Sequence, residues 1–135
     1  MKLITRHSDY AIGALLYLAK DKKRKVCVNE LVKELRIPQA FLRKLLQVLG
    51  QKNILESYKG KGGGFRLKVS AQRIPIAQIM RIFQGDIRIL NCMLKKEICP
   101  NRSSCVLRSK IKAIENRIVK ELESITIASL LEGRF

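Results

Sequence analysis

The stretch "VNELVKELRIPQAFLRKLLQVLGQKN" (28–53) predicts two helices joined by a tight turn. Asn29 is a candidate N-cap of the short first helix, and Pro38 suits the first turn of the second. The second helix has an apolar stripe at three- and four-residue spacings, formed by Phe41, Leu42, Leu45, Leu46 and Leu49. Its opposite face is polar and basic, with Gln39, Arg43, Lys44 and Gln47. This arrangement is typical of a helix-turn-helix, although an ordinary helical hairpin has the same pattern.

The following residues, "ILESYKGKGGGFRLKVS" (54–70), predict a basic β-hairpin. Two strand-like pieces, "ILESYK" and "FRLKVS", are joined by a glycine-rich tip that carries Lys59 and Lys61. Consecutive glycines permit the positive φ angles that a tight reversal needs. A basic hairpin directly after a helix-turn-helix indicates a wing. A plain hairpin with solubilising lysines is the alternative, and the spacing of a phosphate-binding G-x-x-x-x-G-K-S/T loop is absent.

Further helices are predicted on both sides of this unit. The first runs from about Ser8, a candidate N-cap, to Ala19, and another covers residues 74–85 with Gly85 just past its end. A single long helix is predicted over residues 107–131. It has a near-heptad apolar stripe of Leu107, Ile111, Ile114, Ile118, Leu122 and Ile125. Such a helix favours a homodimer, and the alternative is that it packs back on its own domain.

The charge of the chain indicates a polyanionic partner. Its 135 residues carry a formal net charge of +17. Residues 1–90 hold 19 Lys and Arg against 6 Asp and Glu, whereas residues 91–135 hold 9 against 5. DNA, RNA and an anionic membrane surface all fit such a charge. The single histidine and the lack of a nucleophile–base pair argue against an enzyme.

The apolar run "YAIGALLYLA" (10–19) predicts a buried first helix rather than a targeting or membrane segment. Its ten residues are too few to span a bilayer, and the following "KDKKRK" offers no small-residue cleavage site. We therefore expect a cytoplasmic protein whose thiols stay reduced.

Three of the four cysteines lie in "CMLKKEICPNRSSC" (92–105), with the spacing C-x6-C-x5-C. Zinc sites contain closer C-x2–4-C pairs, whereas wider spacings suit an iron–sulfur cluster, which takes four ligands in most proteins. A dithiol redox switch and three incidental cysteines are the alternatives. The fourth cysteine, Cys27, lies between Val26 and Val28 and is expected to be a small buried residue.

The chain resembles the IscR and NsrR family of bacterial regulators over essentially its whole length. The resemblance is carried by "SDYAI" (8–12), "KGGGF" (61–65), the three cysteines and the order of the predicted elements. It implies a dimeric winged-helix protein whose DNA binding responds to an iron–sulfur cluster. By the same resemblance, Cys92, Cys99 and Cys105 correspond to the three cluster thiolates.

The resemblance also implies a fourth cluster ligand. The IscR branch has a histidine three residues after the last cysteine, where this chain has Arg108. In the NsrR branch an acidic residue of the partner subunit's first helix serves, and Asp9 matches that position. His7 is a distant second candidate, and Asp9 could instead be an acidic residue that the helix dipole favours. The first two cysteines are one residue further apart than is common in the family, which leaves 2Fe-2S and 4Fe-4S clusters both open.

The predicted fold is mainly α with a small β-hairpin wing: a winged helix-turn-helix domain (1–90), a cysteine loop (91–106), and a dimerisation helix with a C-terminal tail (107–135). The expected function is transcriptional regulation by an iron–sulfur cluster that senses iron–sulfur status, redox stress or nitric oxide. The expected partners are a double-stranded DNA operator and a second copy of the chain, with no membrane and no small-molecule substrate. The alternatives are a cluster-free regulator that uses its thiols as a redox or metal sensor, and a basic RNA-binding or scaffold protein with a metal-stabilised loop.

Candidate DNA contacts come from three parts of the sequence. The recognition helix offers Gln39, Ala40, Arg43 and Lys44, of which Arg43 suits a guanine edge. The wing offers Lys59, Lys61 and Gly62. Arg6, Lys44 and the run 22–25 suit phosphates, which position a protein without reading sequence. Each of these side chains could instead be merely solvated.

Overall fold

The computed structural model describes residues 2–89 and 104–133. The described elements follow in this order: α1 Arg6–Ala19, α2 Val28–Leu35, α3 Gln39–Gln51, β1 Leu55–Tyr58, β2 Gly64–Leu67, a 3-10 turn Ala71–Arg73, α4 Ile76–Gln84, α5 Val106–Ser124 and α6 Ile127–Glu132. The core lies among α1, α3, α4 and α6, and the residues that are fully buried there include Leu15, Leu46, Leu49, Ile79, Met80 and Ile127. The predicted helix-turn-helix, hairpin and preceding and following helices are all present, which confirms the predicted fold class.

The first helix begins earlier than its predicted cap. Thr5 is the N-cap, and its side chain accepts a hydrogen bond from the Ser8 amide, so the prediction of Ser8 as the cap was wrong. Ser8 instead lies buried in the first turn, where its hydroxyl donates to Gln84 Oε1 at 2.7 Å. Both residue types are good N-caps, and this long-range bond to α4 gives Ser8 a different use.

The turn between α2 and α3 depends on Arg36, which closes α2 in the left-handed region at φ 55° and ψ 40°. Pro38 is the N-cap of α3, one position before its predicted place. Cys27, and not the predicted Asn29, is the N-cap of α2, and Cys27 is exposed, so its predicted burial was wrong. The reason is local strand geometry: Val26 pairs with the wing and points inward, so the next side chain points outward.

The wing is an antiparallel hairpin in which Leu55 lies opposite Leu67 and Tyr58 opposite Gly64. Val26 extends it on the far side of β2: the Val26 amide donates to the Phe65 carbonyl at 2.9 Å, and the Phe65 amide donates back at 2.8 Å. Gly64 makes this close approach possible, because a Cβ atom there would lie 2.4 Å from the Val26 carbonyl oxygen. The basic run before Val26 is therefore attached to the wing.

Gly64→Ala is expected to destabilise the protein by about 2–3 kcal/mol, since the added methyl collides with backbone at a φ of 153°. Thermal unfolding measures this loss. Gly50→Ala is the control, because Gly50 lies inside α3 with open space around it and should gain about 0.5–1 kcal/mol. A Gly64→Ala variant that melts like the wild type would contradict this account of the wing.

The predicted single helix over residues 107–131 is divided in two. α5 ends at Ser124, Ile125 is extended, and Thr126 caps α6 with a capping box to Ser129. The Ile125 carbonyl and the Ile127 amide bond to the strand-like backbone around Ile74, at 2.9 Å each. The β-branched run "ITI" disfavours a helix at this point. α6 then packs on α1 and belongs to the same core as the wing.

The apolar stripe of α5 has two environments. At its C-terminal end Leu122 is buried against the chain's own domain, and an Arg81–Glu123 ion pair at 2.8 Å joins α4 to α5. Towards its N-terminal end Leu107 is 66% exposed and Ile114 is 45% exposed. The helix therefore packs back on its domain at one end and presents uncovered apolar side chains at the other.

Within residues 2–89 and 104–133, no helix is both long and apolar enough to cross a membrane.

Candidate nucleic-acid interface and cysteine segment

The outward face of α3 carries the predicted recognition residues, Gln39, Ala40, Arg43 and Lys44, and all four are exposed. They are exposed because Leu42, Leu45, Leu46 and Leu49 occupy the opposite, buried face of the helix. Gln39 also donates from Nε2 to Asn29 Oδ1 at 3.2 Å, which connects the first turn of α3 to α2.

Aromatic contacts set the start of α1 against α3. The Phe41 ring packs on His7, with centroids 4.7 Å apart, and on Tyr10 in an edge-on arrangement at 5.6 Å. His7 therefore packs within this group of aromatic rings. Arg6 and Asp9 are both exposed in the first turn of α1, next in sequence to His7 and Tyr10.

The wing presents its predicted cationic tip to solvent, since Lys59, Lys61 and Gly62 are exposed. Below the tip, Tyr58 and Arg66 both donate to Glu56, at 2.7 Å and 3.0 Å. These hydrogen bonds, from Tyr58 first and Arg66 second, hold the pKa of the half-buried Glu56 below its usual value. Arg66 is thus engaged inside the wing, whereas the two lysines of the tip project from it.

The basic run 22–25 is attached at two points. Arg24 forms an ion pair with Glu30, which also accepts a hydrogen bond from the Tyr17 hydroxyl at 3.0 Å. The Arg24 bond, followed by the Tyr17 bond, lowers the pKa of Glu30. Lys25 Nζ lies 4.0 Å from the centroid of the Tyr58 ring, a cation–π contact with the wing. The run is therefore held between α2 and the wing.

Cys92 and Cys99 lie outside the described residues, and Cys105 lies inside them. Cys105 is the N-cap of α5, partly exposed, and its Sγ accepts a hydrogen bond from the Arg108 amide at 3.4 Å. A helix N-terminus favours a negatively charged ligand atom at this position. Thiolate sulfur there, with the exposed Asp9 carboxylate elsewhere, is a donor set that iron accepts. In the described ranges taken alone, no group of three or more His, Cys, Asp or Glu side chains is arranged to hold a metal ion.

Three further residues with specific contacts were not predicted from sequence: Val26, which extends the wing; Tyr58, which contacts Lys25; and Glu115, a buried acid in α5. The alternation around Val26 was visible as a short strand-like signal. Glu115 was also visible, because it lies seven residues before Leu122 and so on the same side of the helix.

The comparisons with known proteins agree with this architecture. A model of the Rrf2 family, described as an iron-dependent transcriptional regulator, matches residues 4–133. With the helix-turn-helix and hairpin described above, this match defines the chain as a winged-helix transcriptional regulator rather than an enzyme. The chain belongs to the Rrf2 family.

Individual relatives cover nearly the whole chain. The HTH-type transcriptional regulator NsrR of Bacillus subtilis (strain 168) is 26% identical over 136 residues, 99% of this chain and 92% of that protein. The structure of T. potens IscR superposes with a TM-score of 0.77 at 21% identity, over 98% of this chain and 88% of that one. CymR, the global cysteine regulator of B. subtilis, superposes with a TM-score of 0.80 at 19% identity over 100% of both chains. At these identities the two structures establish a shared fold.

Proposed function

We propose that this regulator binds a double-stranded DNA operator as a homodimer and that an iron–sulfur cluster controls its affinity for the operator. The observation that carries the proposal is the exposed polar face of α3 beside a basic, exposed wing tip, in a chain of net charge +17. Family membership supports the regulatory role. The signal would be iron–sulfur status, redox stress or nitric oxide.

DNA contacts are assigned by side-chain chemistry. Arg43, in the second turn of α3, would read a guanine edge, with Gln39 and Ala40 ahead of it at the start of the helix. Lys44, Arg6 and the exposed lysines of the run 22–25 would bind phosphates. Lys59, Lys61 and Gly62 would place the wing along the phosphate backbone of the DNA.

Dimerisation is supported by the uncovered apolar side chains of α5. Two copies that pack through Leu107 and Ile114 would remove these side chains from water and give a two-fold protein, which suits a DNA site with two half-sites. Residues 107–135 would act as the dimerisation unit through α5, while α6 stays with the winged-helix domain.

Ile114→Asp is expected to convert the dimer into a monomer of 15.4 kDa, because two copies of a charged side chain would face each other in the seam. Ala113→Asp is the matched control, since Ala113 is exposed and lies about 100° around the helix from Ile114. Light scattering after gel filtration measures the mass. Dimers in both variants, or a wild-type monomer, would disprove this interface.

The cluster site would consist of the thiolates of Cys92, Cys99 and Cys105 with Asp9 from the partner subunit. When bound, such a cluster supplies a group that exchanges electrons and is degraded by oxidants. Cys105 caps α5 and Asp9 lies in the first turn of α1, the helix whose aromatic residues pack on the recognition helix α3. Ligation by both residues would thereby connect the dimer helix of one subunit to the DNA-binding domain of the other. A difference of a few kcal/mol between the two states is enough for a switch.

The test is the iron and acid-labile sulfide content per chain, with a visible spectrum, of protein purified without oxygen. We expect near-stoichiometric iron and sulfide with an absorbing cluster. Protein that stays colourless after anaerobic reconstitution would disprove the cluster and leave the thiol-sensor alternative. Selective binding of a DNA duplex over single-stranded nucleic acid of the same sequence would favour a regulator, with or without a cluster, over the RNA-binding alternative.

A further inference from the structure

Glu115 is a buried carboxylate in the middle of α5. Its residue surface is only 4% exposed, and it lies on the side of the helix that also carries Ile118 and the buried Leu122. Burial of a carboxylate is unfavourable unless hydrogen bonds and opposite charge compensate it. A leucine at this position would continue the apolar face, so the presence of an acid points to a specific role.

The two carboxylate oxygens bind different partners. Oε1 accepts from Lys112 Nζ at 2.6 Å, one turn earlier on the same helix, and the Lys112 side chain is mostly exposed. Oε2 accepts from the backbone amide of Ile89 at 2.9 Å, across 26 residues of sequence. Glu115 therefore binds the main chain at the point where it leaves the winged-helix domain, just after the buried Ile87.

This contact holds Ile89, the last described residue before the cysteine segment, against α5. The segment rejoins the described structure at Cys105, the N-cap of α5, which lies ten residues before Glu115 on the same helix. At the rise of an α-helix, those ten residues correspond to about 15 Å. Cys92 is three residues beyond Ile89, so the chain can carry it at most about 10 Å from the anchored amide. Ile89 and Cys105, described residues on the two sides of this segment, are thereby both held by α5.

We propose that Glu115 is a positioning residue for the cluster: by binding the Ile89 amide it keeps the start of the cysteine segment on α5, within reach of Cys105. The inference rests on the proposed cluster function. Glu115 acts through the backbone and not as a ligand. Loss of a residue that orients metal ligands without binding the metal weakens metal affinity about 10- to 100-fold, and we expect loss of Glu115 to have an effect of this kind.

Two variants separate this role from simple packing. Glu115→Leu removes the acceptor for the Ile89 amide and extends the apolar face. The Lys112 ammonium that loses its partner in this variant remains hydrated, because its side chain is 65% exposed. Glu115→Gln retains one side-chain oxygen of nearly the same reach for the Ile89 amide. It removes the charge and replaces the oxygen that accepts from Lys112 with an NH2 group. Ile89→Pro is a third variant, which removes the donor N–H and leaves Glu115 in place.

The first measurement is the hydrogen-exchange rate of the Ile89 amide, by NMR on metal-free protein. We expect at least about 10-fold faster exchange in Glu115→Leu and less than about 3-fold change in Glu115→Gln. The second is the rate of iron transfer to a chelator from the anaerobically purified protein. We expect Glu115→Leu and Ile89→Pro to release iron about 10-fold faster than the wild type, and Glu115→Gln to stay within about 3-fold.

A Glu115→Leu variant that exchanges Ile89 at the wild-type rate would overturn the proposal, as would one that loses the anchor and still releases iron at the wild-type rate. Equal acceleration in Glu115→Gln would also overturn it, since the charge and its pairing with Lys112 would then be responsible rather than the bond to the Ile89 amide. A wild-type protein without iron and sulfide would instead disprove the proposed cluster function, while the exchange rate of Ile89 would still decide whether the anchor exists.

Discussion

Cys105→Ala is expected to lower iron and acid-labile sulfide to less than about a tenth of the wild-type content. The change removes one of three proposed thiolates from a fixed position, since Cys105 caps α5, and loss of a direct ligand exceeds the 10- to 100-fold effect of outer-shell contacts. The free energy of unfolding should fall by about 0.5–2 kcal/mol, because one N-cap hydrogen bond is lost. Metal analysis and circular dichroism together separate the two effects.

Cys27→Ala is the matched control. It makes the same chemical change at the N-cap of α2, at an exposed cysteine outside the cluster triplet. We expect wild-type iron and sulfide in this variant. Full iron and sulfide in Cys105→Ala, or equal losses in both variants, would contradict the assignment of Cys105 as a ligand.

Arg43→Ala is expected to weaken binding to a selected operator duplex by about 1–3 kcal/mol, which is roughly 5- to 150-fold. Arg43 is exposed in the second turn of α3, and a guanidinium can contact two acceptors of one guanine. Preference at one base-pair position should be lost together with the affinity. Fluorescence anisotropy at a fixed salt concentration, with the operator and its single-base variants, measures both.

Arg117→Ala serves as the control for charge, because it lowers the net charge equally at an exposed position on α5. We expect a change below about 2-fold. Lys61→Ala should behave differently again: it should weaken all duplexes alike and reduce the slope of log affinity against log salt by about one. Equal effects of Arg43→Ala and Arg117→Ala would indicate that Arg43 contributes only charge.

The position and buried face of α3 follow from local sequence. The apolar spacing of α3 predicts the face that the helix buries, and Pro38 predicts its start to within one residue. The caps of α1 and α2 were not predictable in the same way. At α1 two good capping residues, Thr5 and Ser8, stand close together, and the bond from Ser8 to Gln84 gives Ser8 another use. At α2 the N-cap is Cys27, which makes no side-chain capping hydrogen bond.

The C-terminal region shows the limit of periodicity. The apolar spacing continues across residues 125–127, so the pattern alone predicts one helix, whereas backbone bonds to Ile74 and Ile76 draw the chain into an extended turn. Only the β-branched run at this point indicated a break. These backbone bonds join residues about 50 positions apart in the sequence, and a local helical pattern contains no information about such contacts.

The candidate interface could be predicted in part. Exposure of Gln39, Arg43 and Lys44 follows from the buried stripe on the other side of α3. The attachment of Lys25 to Tyr58, and of Glu115 to Ile89, joins residues that are far apart in sequence and depends on the packed fold. The proposed ligation by Cys92, Cys99, Cys105 and Asp9 stays a prediction from sequence and resemblance.

A titration with and without bound iron tests whether the cluster controls DNA affinity. The same preparation is measured against a duplex that the protein has selected from a random-sequence library, before and after anaerobic removal of its iron, at one salt concentration. We expect the two affinities to differ by at least about 10-fold, which corresponds to about 1.4 kcal/mol of coupling. Equal affinities, in a protein shown to contain iron and sulfide, would contradict the account.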